Sequence, residues 1–201
     1  MTNTAYCFDL DGTVTRDELL PVIASEVGLS EEIGFLTRLT IQGQIPFEMS
    51  FRLRCRLLSD IPVKTVAEIV DQVPLDEKIS DFIKSNTGCC YIVTGNLDVW
   101  IEKILDKLGC GFFSSEATRR SDGKLGPLTK ILRKSDAIRE LRPKYDRLVS
   151  IGEGANDLPM FQEADVRIAY GGVHAPAQGL VEVSDYVVSN GSALCRLLKT
   201  L

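Results

Sequence analysis

The chain has 201 residues, 44% of them apolar and 25% charged, which are the proportions of a folded domain and argue against disorder. Its net charge is −5, and an acidic surface repels nucleic acid and anionic lipid, so a phosphate-bearing ligand needs local positive charge or a metal ion. No run approaches the roughly 20 apolar residues that cross a bilayer. Short apolar runs alternate with amphipathic stretches, the pattern of a Rossmann-like parallel sheet with helices on both faces. Residues 5–10 read as the first strand, too short for a secretion signal and ending in carboxylates, so a cytoplasmic protein is expected. The next sixty residues lack a convincing strand. They hold helical windows marked by an N-cap at Ser30 and by Pro46 and Pro62 at helix starts. Residues 15–74 are therefore expected to form a small helical cap inserted after the first strand, with 1–14 and 75–201 as the α/β core.

Within the core, strands are predicted over 89–94, 110–114, 147–152, 165–170 and 185–188. Helices are predicted over 97–108, 134–141 and 156–164, with a last one opening at Gly191-Ser192, and Asp122-Gly123 has hairpin chemistry. Six cysteines, at 7, 55, 89, 90, 110 and 195, form no Cys-x-x-Cys pair and lie far in sequence from the single His174. Reduced thiols and no zinc site are expected.

Asp9 and Asp11, at i and i+2 where the first strand ends, leave it on the same side, and Gly12 lets the backbone turn behind them. Such a pair can hold a divalent cation while one member attacks phosphorus and the other handles protons. The competing reading is an ordinary Asp-Gly turn.

Asp9-Leu10-Asp11-Gly12-Thr13 resembles the first motif, Asp-x-Asp-x-Thr, of the haloacid-dehalogenase superfamily. The resemblance implies that Asp9 is the nucleophile and Asp11 the general acid/base. An acid at this second place belongs to the superfamily's phosphatases and phosphomutases, not to its dehalogenases or ion-pumping ATPases. Three further stretches follow in the family's order. Tyr91–Gly95 resembles the second motif, with the Thr94 hydroxyl and Gly95 amide on the phosphate. Lys134 matches the third motif's lysine, with Lys130 as its competitor. Residues 149–157, Val-Ser-Ile-Gly-Glu-Gly-Ala-Asn-Asp, match the fourth. The resemblance implies a Mg²⁺ ion held by Asp9, Asp11, Glu153 and Asp157, with Asn156 orienting the phosphate. Glu153 stands where the family has Asp, which brings Mn²⁺ in as an alternative ion.

The likeness is greatest to phosphoserine phosphatases and extends into the cap. Glu18 stands at the offset of the acid that holds the substrate ammonium, and Phe47 and Arg54 at those of the aromatic residue and the carboxylate-binding arginine. The competing reading makes Arg52, Arg54 and Arg56 a solvated helix face. Asn96 and Asp98 depart from that family, which has glycine and an aromatic after the second motif. His174 is read as a surface or structural residue. The expectation is a phosphomonoesterase working through an aspartyl-phosphate on a small phosphorylated metabolite, with no nucleic-acid or membrane partner. The alternatives are a phosphotransferase or phosphomutase, and a catalytically weak metal-binding regulator. Oligomeric state is not legible in the chain.

Overall fold

A computed structural model describes residues 3–201. Its strands are β1 (Thr4–Phe8), β2 (Cys90–Leu97), β3 (Gly111–Arg119), β4 (Leu125–Lys130), β5 (Arg147–Gly152), β6 (Val166–Tyr170) and β7 (Tyr186–Val188). They form one sheet in the order β4-β3-β2-β1-β5-β6-β7, parallel except for β4. The period-two alternation of β1 sends Ala5 and Cys7 into one apolar layer and Phe8 into the other. Helices cover both layers, as expected for strands buried on both faces. On the Phe8 side, α5 (Glu77–Ser85), α6 (Asp98–Leu108) and α10 (Gly191–Leu198) supply Ile79, Trp100, Ile104 and Leu194. On the Cys7 side, α7 (Lys134–Leu141), α8 (Leu158–Glu163) and α9 (Gln178–Val181) supply Ile138, Phe161 and Leu180.

Sequence order runs outward from β1 in opposite directions, through β2 on one side and β5 on the other. The carboxyl ends of these three strands therefore meet at the topological switch point, where open α/β sheets bind ligands.

Between β1 and α5 lie the insertion helices α1 (Leu19–Ala24), α2 (Ser30–Ile41), α3 (Phe47–Leu58) and α4 (Val63–Asp71). The segment leaves and returns at one place. Thr15 bridges Leu75, the Arg16 amide donates to the Pro74 carbonyl at 2.8 Å, and the Asp76 amide donates to the Val14 carbonyl at 2.8 Å. It is also strapped to the core, because α4 packs on α6 and Pro62 bridges Lys124 beside the β3–β4 turn. Among the described residues no helix is long and apolar enough to cross a membrane.

Several elements differ from expectation. β2 extends beyond the predicted residue 94 through Leu97, where the helix was expected to begin, and Asn96 and Leu97 are buried there. β4 is not among the predicted strands, hairpin chemistry having been read only at Asp122-Gly123 before it; its Gly126 and Pro127 give no strand signal, and pairing with β3 supplies what propensity does not. Ser30 is the first residue of α2, with Leu29 at the N-cap and no side-chain cap.

Helix α5 is capped by Asp76, whose side chain accepts from the amides of Lys78 and Ile79 at 3.0 and 3.1 Å. Its ion pair with the largely exposed Arg16 adds little. Asp76→Ala is expected to lower unfolding stability by about 1–2 kcal/mol in urea titrations. An unchanged midpoint would show that water replaces the cap.

Candidate active site

The turn after β1 is built by its own hydroxyl. Thr15 Oγ1 accepts from the Gly12 amide at 3.2 Å and donates to the carbonyl of Leu10 or of Asp17, while the Val14 and Thr15 amides donate to Leu10. Gly12 has φ +68°, and a Cβ there would collide with the Glu153 carboxylate, so both the turn and the neighbouring acid require glycine.

Lys134 sits at the first position of α7 and reaches the sheet edge completely buried. Its Nζ donates to Asp9 Oδ1 at 2.5 Å and to Asp157 Oδ1 at 2.6 Å. Burial alone would lower its pKa, but the Asp157 and Asp9 carboxylates outweigh that and hold the ammonium above its ordinary range. Lys130 instead lies on the surface, paired with Glu116. Both hydrogen bonds to Asp9 fall on Oδ1, since the Leu10 amide donates there too, leaving Oδ2 for chemistry. Burial and the Asp157 charge raise the Asp9 carboxyl well above the usual range despite Lys134. Asp157 is fully engaged: its Oδ2 accepts from the Glu153 and Gly154 amides at 2.9 and 3.0 Å.

Asp11 is held from β2. Asn96 Nδ2 donates to both its oxygens at 3.0 and 3.1 Å, the Thr94 hydroxyl lies 3.4 Å from Oδ2, and the Leu19 amide donates to Oδ1 at 3.2 Å. Burial and the nearby Glu18 charge push its pKa up to about 6, with Asn96 and Leu19 opposing. A carboxyl titrating there can both give and take a proton near neutrality. Asn96, which the sequence reading noted only as a departure, thus joins the candidate site through its contacts to Asp11.

Asp9, Asp11, Glu18, Phe47, Arg54 and Asn156 line one small cavity of about 50 Å³. A wider one of about 560 Å³ adjoins it and shares Thr40, Phe47, Gly95 and Asn156. Gly95 leaves room for the Phe47 ring, which a Cβ would strike. Arg54 is 4% exposed and donates to the Thr37 hydroxyl at 2.9 Å and weakly to the Ser50 carbonyl, but forms no ion pair among the described residues. Burial lowers its pKa, with Asp11 and Glu18 opposing. Arg52 lies on the surface, paired with Glu48, so these arginines are not one solvated face.

Five carboxylates, Asp9, Asp11, Glu18, Glu153 and Asp157, thus crowd around two buried cations, Lys134 and Arg54. Burial, with Glu18, Asp9 and Asp157 nearby, pushes Glu153 up to about 11, and its Oε2 has no hydrogen-bond partner. An all-oxygen donor set with excess negative charge and an orphaned buried oxygen fits a hard divalent cation.

A family model described as haloacid dehalogenase-like hydrolase matches residues 7–162. The chain belongs to the haloacid dehalogenase-like hydrolase family. It is 31% identical over 175 residues to a phosphoserine phosphatase of Methanocaldococcus jannaschii, covering 81% of this chain and 83% of that one. Among solved structures it resembles a substrate-bound phosphoserine phosphatase complex, with TM-score 0.85 and 28% identity over 100% of this chain and 99% of that one. It also resembles a phospho-aspartyl intermediate analogue of phosphoserine phosphatase, with TM-score 0.84 and 26% identity at the same coverage. In this member of the haloacid dehalogenase-like family, all four motifs lie at the carboxyl edge of the sheet, with α2 and α3 of the insertion completing the cavity.

Proposed function

We propose that the chain is a Mg²⁺-dependent phosphomonoesterase that passes the phosphoryl group through Asp9, with phosphoserine or a close analogue as substrate. The observation that carries the substrate is Arg54, a buried guanidinium without an ion-pair partner that lines the same small cavity as Glu18 and Asp9. A zwitterion supplies what both lack: a carboxylate for Arg54 and an ammonium for Glu18. The relatives' names point the same way.

Asp9 Oδ2 attacks phosphorus while Lys134 holds Oδ1 and offsets its charge. Asp11, gripped by Asn96, protonates the departing alkoxide and then takes a proton from the water that cleaves the aspartyl-phosphate. Thr94, Gly95 and Asn156 border the phosphate's place, and Phe47 covers it. The residues that would hold the cation are Asp9, Glu153 and the Asp11 backbone carbonyl. Asp157 contributes by bracing Lys134 and the 153–154 amides. When bound, the cation supplies charge neutralisation between nucleophile and phosphate. In this reading residues 15–74 act as the cap over the core.

The test of substrate is selective damage. Arg54→Lys should lower kcat/KM for phosphoserine about ten- to a hundredfold, the cost of about 1.5–3 kcal/mol for a lost charge-assisted hydrogen bond, and leave an aryl phosphate nearly unchanged. Glu18→Gln should show the same selectivity. Equal losses on both substrates would reduce the pair to structural support for the insertion.

A longer arm at 153 loosens the geometry that Mg²⁺ demands. Activity should vanish in excess chelator and return with Mg²⁺ or Mn²⁺, and Glu153→Asp should need less Mg²⁺ for half-maximal rate. Full activity after exhaustive metal removal would contradict this. The wider adjoining cavity favours a second reading, transfer to an alcohol in place of water; product analysis in the presence of serine and other small alcohols distinguishes the two.

A further inference from the structure

Three side chains from distant parts of the chain converge beside the catalytic carboxylates. Glu18 precedes α1, Glu153 follows β5, and His174 lies on the loop after β6. One ligand atom from each lies within 4.8 Å of the other two. Each also carries a buried atom without a hydrogen-bond partner: Glu18 Oε1, Glu153 Oε2 and His174 Nε2. His174 Nε2 stands 3.4 Å from Glu18 Oε1, an approach that forms no hydrogen bond. Glu153 is 2% exposed, so its orphaned oxygen has no bulk water to turn to. The loop that carries His174 is tied to the same residue, because the Ala177 amide donates to the Glu153 carbonyl at 2.8 Å. Convergent orphaned polar atoms in a buried place call for a bound group that satisfies them all.

We propose that Glu18, Glu153 and His174 form a second cation site, selective for a borderline transition ion of the Zn²⁺ class. Carboxylate oxygen and imidazole nitrogen are both zinc donors, and three protein ligands leave the open fourth position of a non-structural zinc site. Imidazole also sets the site apart from the all-oxygen catalytic set, because it favours Zn²⁺ over Mg²⁺, and Glu153, the residue common to both sets, has one carboxylate oxygen for each ion. Bonds of about 2.0–2.2 Å bring ligand atoms to roughly 3.5 Å apart. Small rotamer changes in the two glutamates close the gap from the present spacing. The glutamate at 153 gains a reason here: an aspartate would stop one methylene short of Glu18 and His174.

A filled site takes Glu18 away from the substrate ammonium, so the ion inhibits in competition with an amino-acid phosphate. That consequence rests on the substrate reading above; the binding does not.

His174 is the chain's single histidine, so its imidazole resonances report on the site without ambiguity. Tag-free protein in saturating Mg²⁺ is titrated with Zn²⁺ and followed by NMR and calorimetry. The His174 signals should shift with one equivalent of Zn²⁺, and His174→Gln and Glu153→Asp should each weaken Zn²⁺ at least about tenfold. Zn²⁺ binding that leaves His174 unshifted, or equal affinity in the wild type and both variants, overturns the site. In the kinetic arm, Zn²⁺ should raise KM for phosphoserine and spare an aryl phosphate, with the effect lost in His174→Gln relative to its own Mg²⁺ rate. Equal inhibition on both substrates and in the variant would mean displacement of the catalytic ion, and overturns the inhibitory role. If phosphoserine is not a substrate, the NMR and calorimetric arms still decide the binding.

Discussion

Asp9→Asn is expected to fold as the wild type does and to lose at least about four orders of magnitude in turnover, the scale seen when a nucleophile is removed from a working site. The amide is isosteric and can still accept from Lys134, but it cannot attack phosphorus. Stability should not fall. Burial and Asp157 raise the folded-state pKa of Asp9 above its unfolded value, so at neutral pH its ionised form opposes folding. An uncharged Asn removes that opposition, and metal-free urea unfolding should show an equal or higher midpoint. Activity within tenfold of wild type would remove Asp9 from the chemistry. A sharply lower midpoint would make the loss one of structure.

Lys134→Met should damage both function and fold. The substitution leaves Asp9 and Asp157 facing each other in a buried site with no cation between them. Breaking a buried ion pair by removing one partner costs about 3–5 kcal/mol, moderated here because Asp9 can take up a proton. Turnover should fall with it, since the ammonium that offsets the nucleophile's charge is gone. Adding Asp157→Asn to Lys134→Met should restore part of the stability and none of the activity, a coupling that a double-mutant cycle measures directly. Restoration of activity by the second substitution would show that Lys134 serves only to neutralise Asp157.

What could be read from the chain was local. Asp9 and Asp11 are two residues apart, and their strand-turn context is written in the four apolar residues, Ala5 to Phe8, before them. Residues 134–141 and 147–152 have the structural bounds that their periodicity predicts. What could not be read depends on contacts across the fold. Asn96 grips a carboxylate 85 positions away, and nothing in its neighbours Gly95 and Leu97 announces a partner. The convergence of Glu18, Glu153 and His174 joins the ends of two strands to the insertion, and a lone histidine in a glycine-rich loop carries no spacing signal of its own. Asp157 sits at a family motif position, yet its engagement with Lys134 and two backbone amides shows only once β5 and α7 are placed together. Strand β4 fails for the opposite reason: its own residues disfavour the strand that β3 imposes on it.

The central claim is that the phosphoryl group passes through Asp9, and its most direct test is to catch it there. Asp11→Asn should form the aspartyl-phosphate from an aryl phosphate, whose leaving group needs no proton, and then lack the base that activates water. Acid quenching followed by peptide mapping should find one phosphoryl group on the peptide that carries Asp9, absent when Asp9→Asn is added. No covalent phosphate under these conditions, or a phosphoryl group on any other residue, would contradict the account.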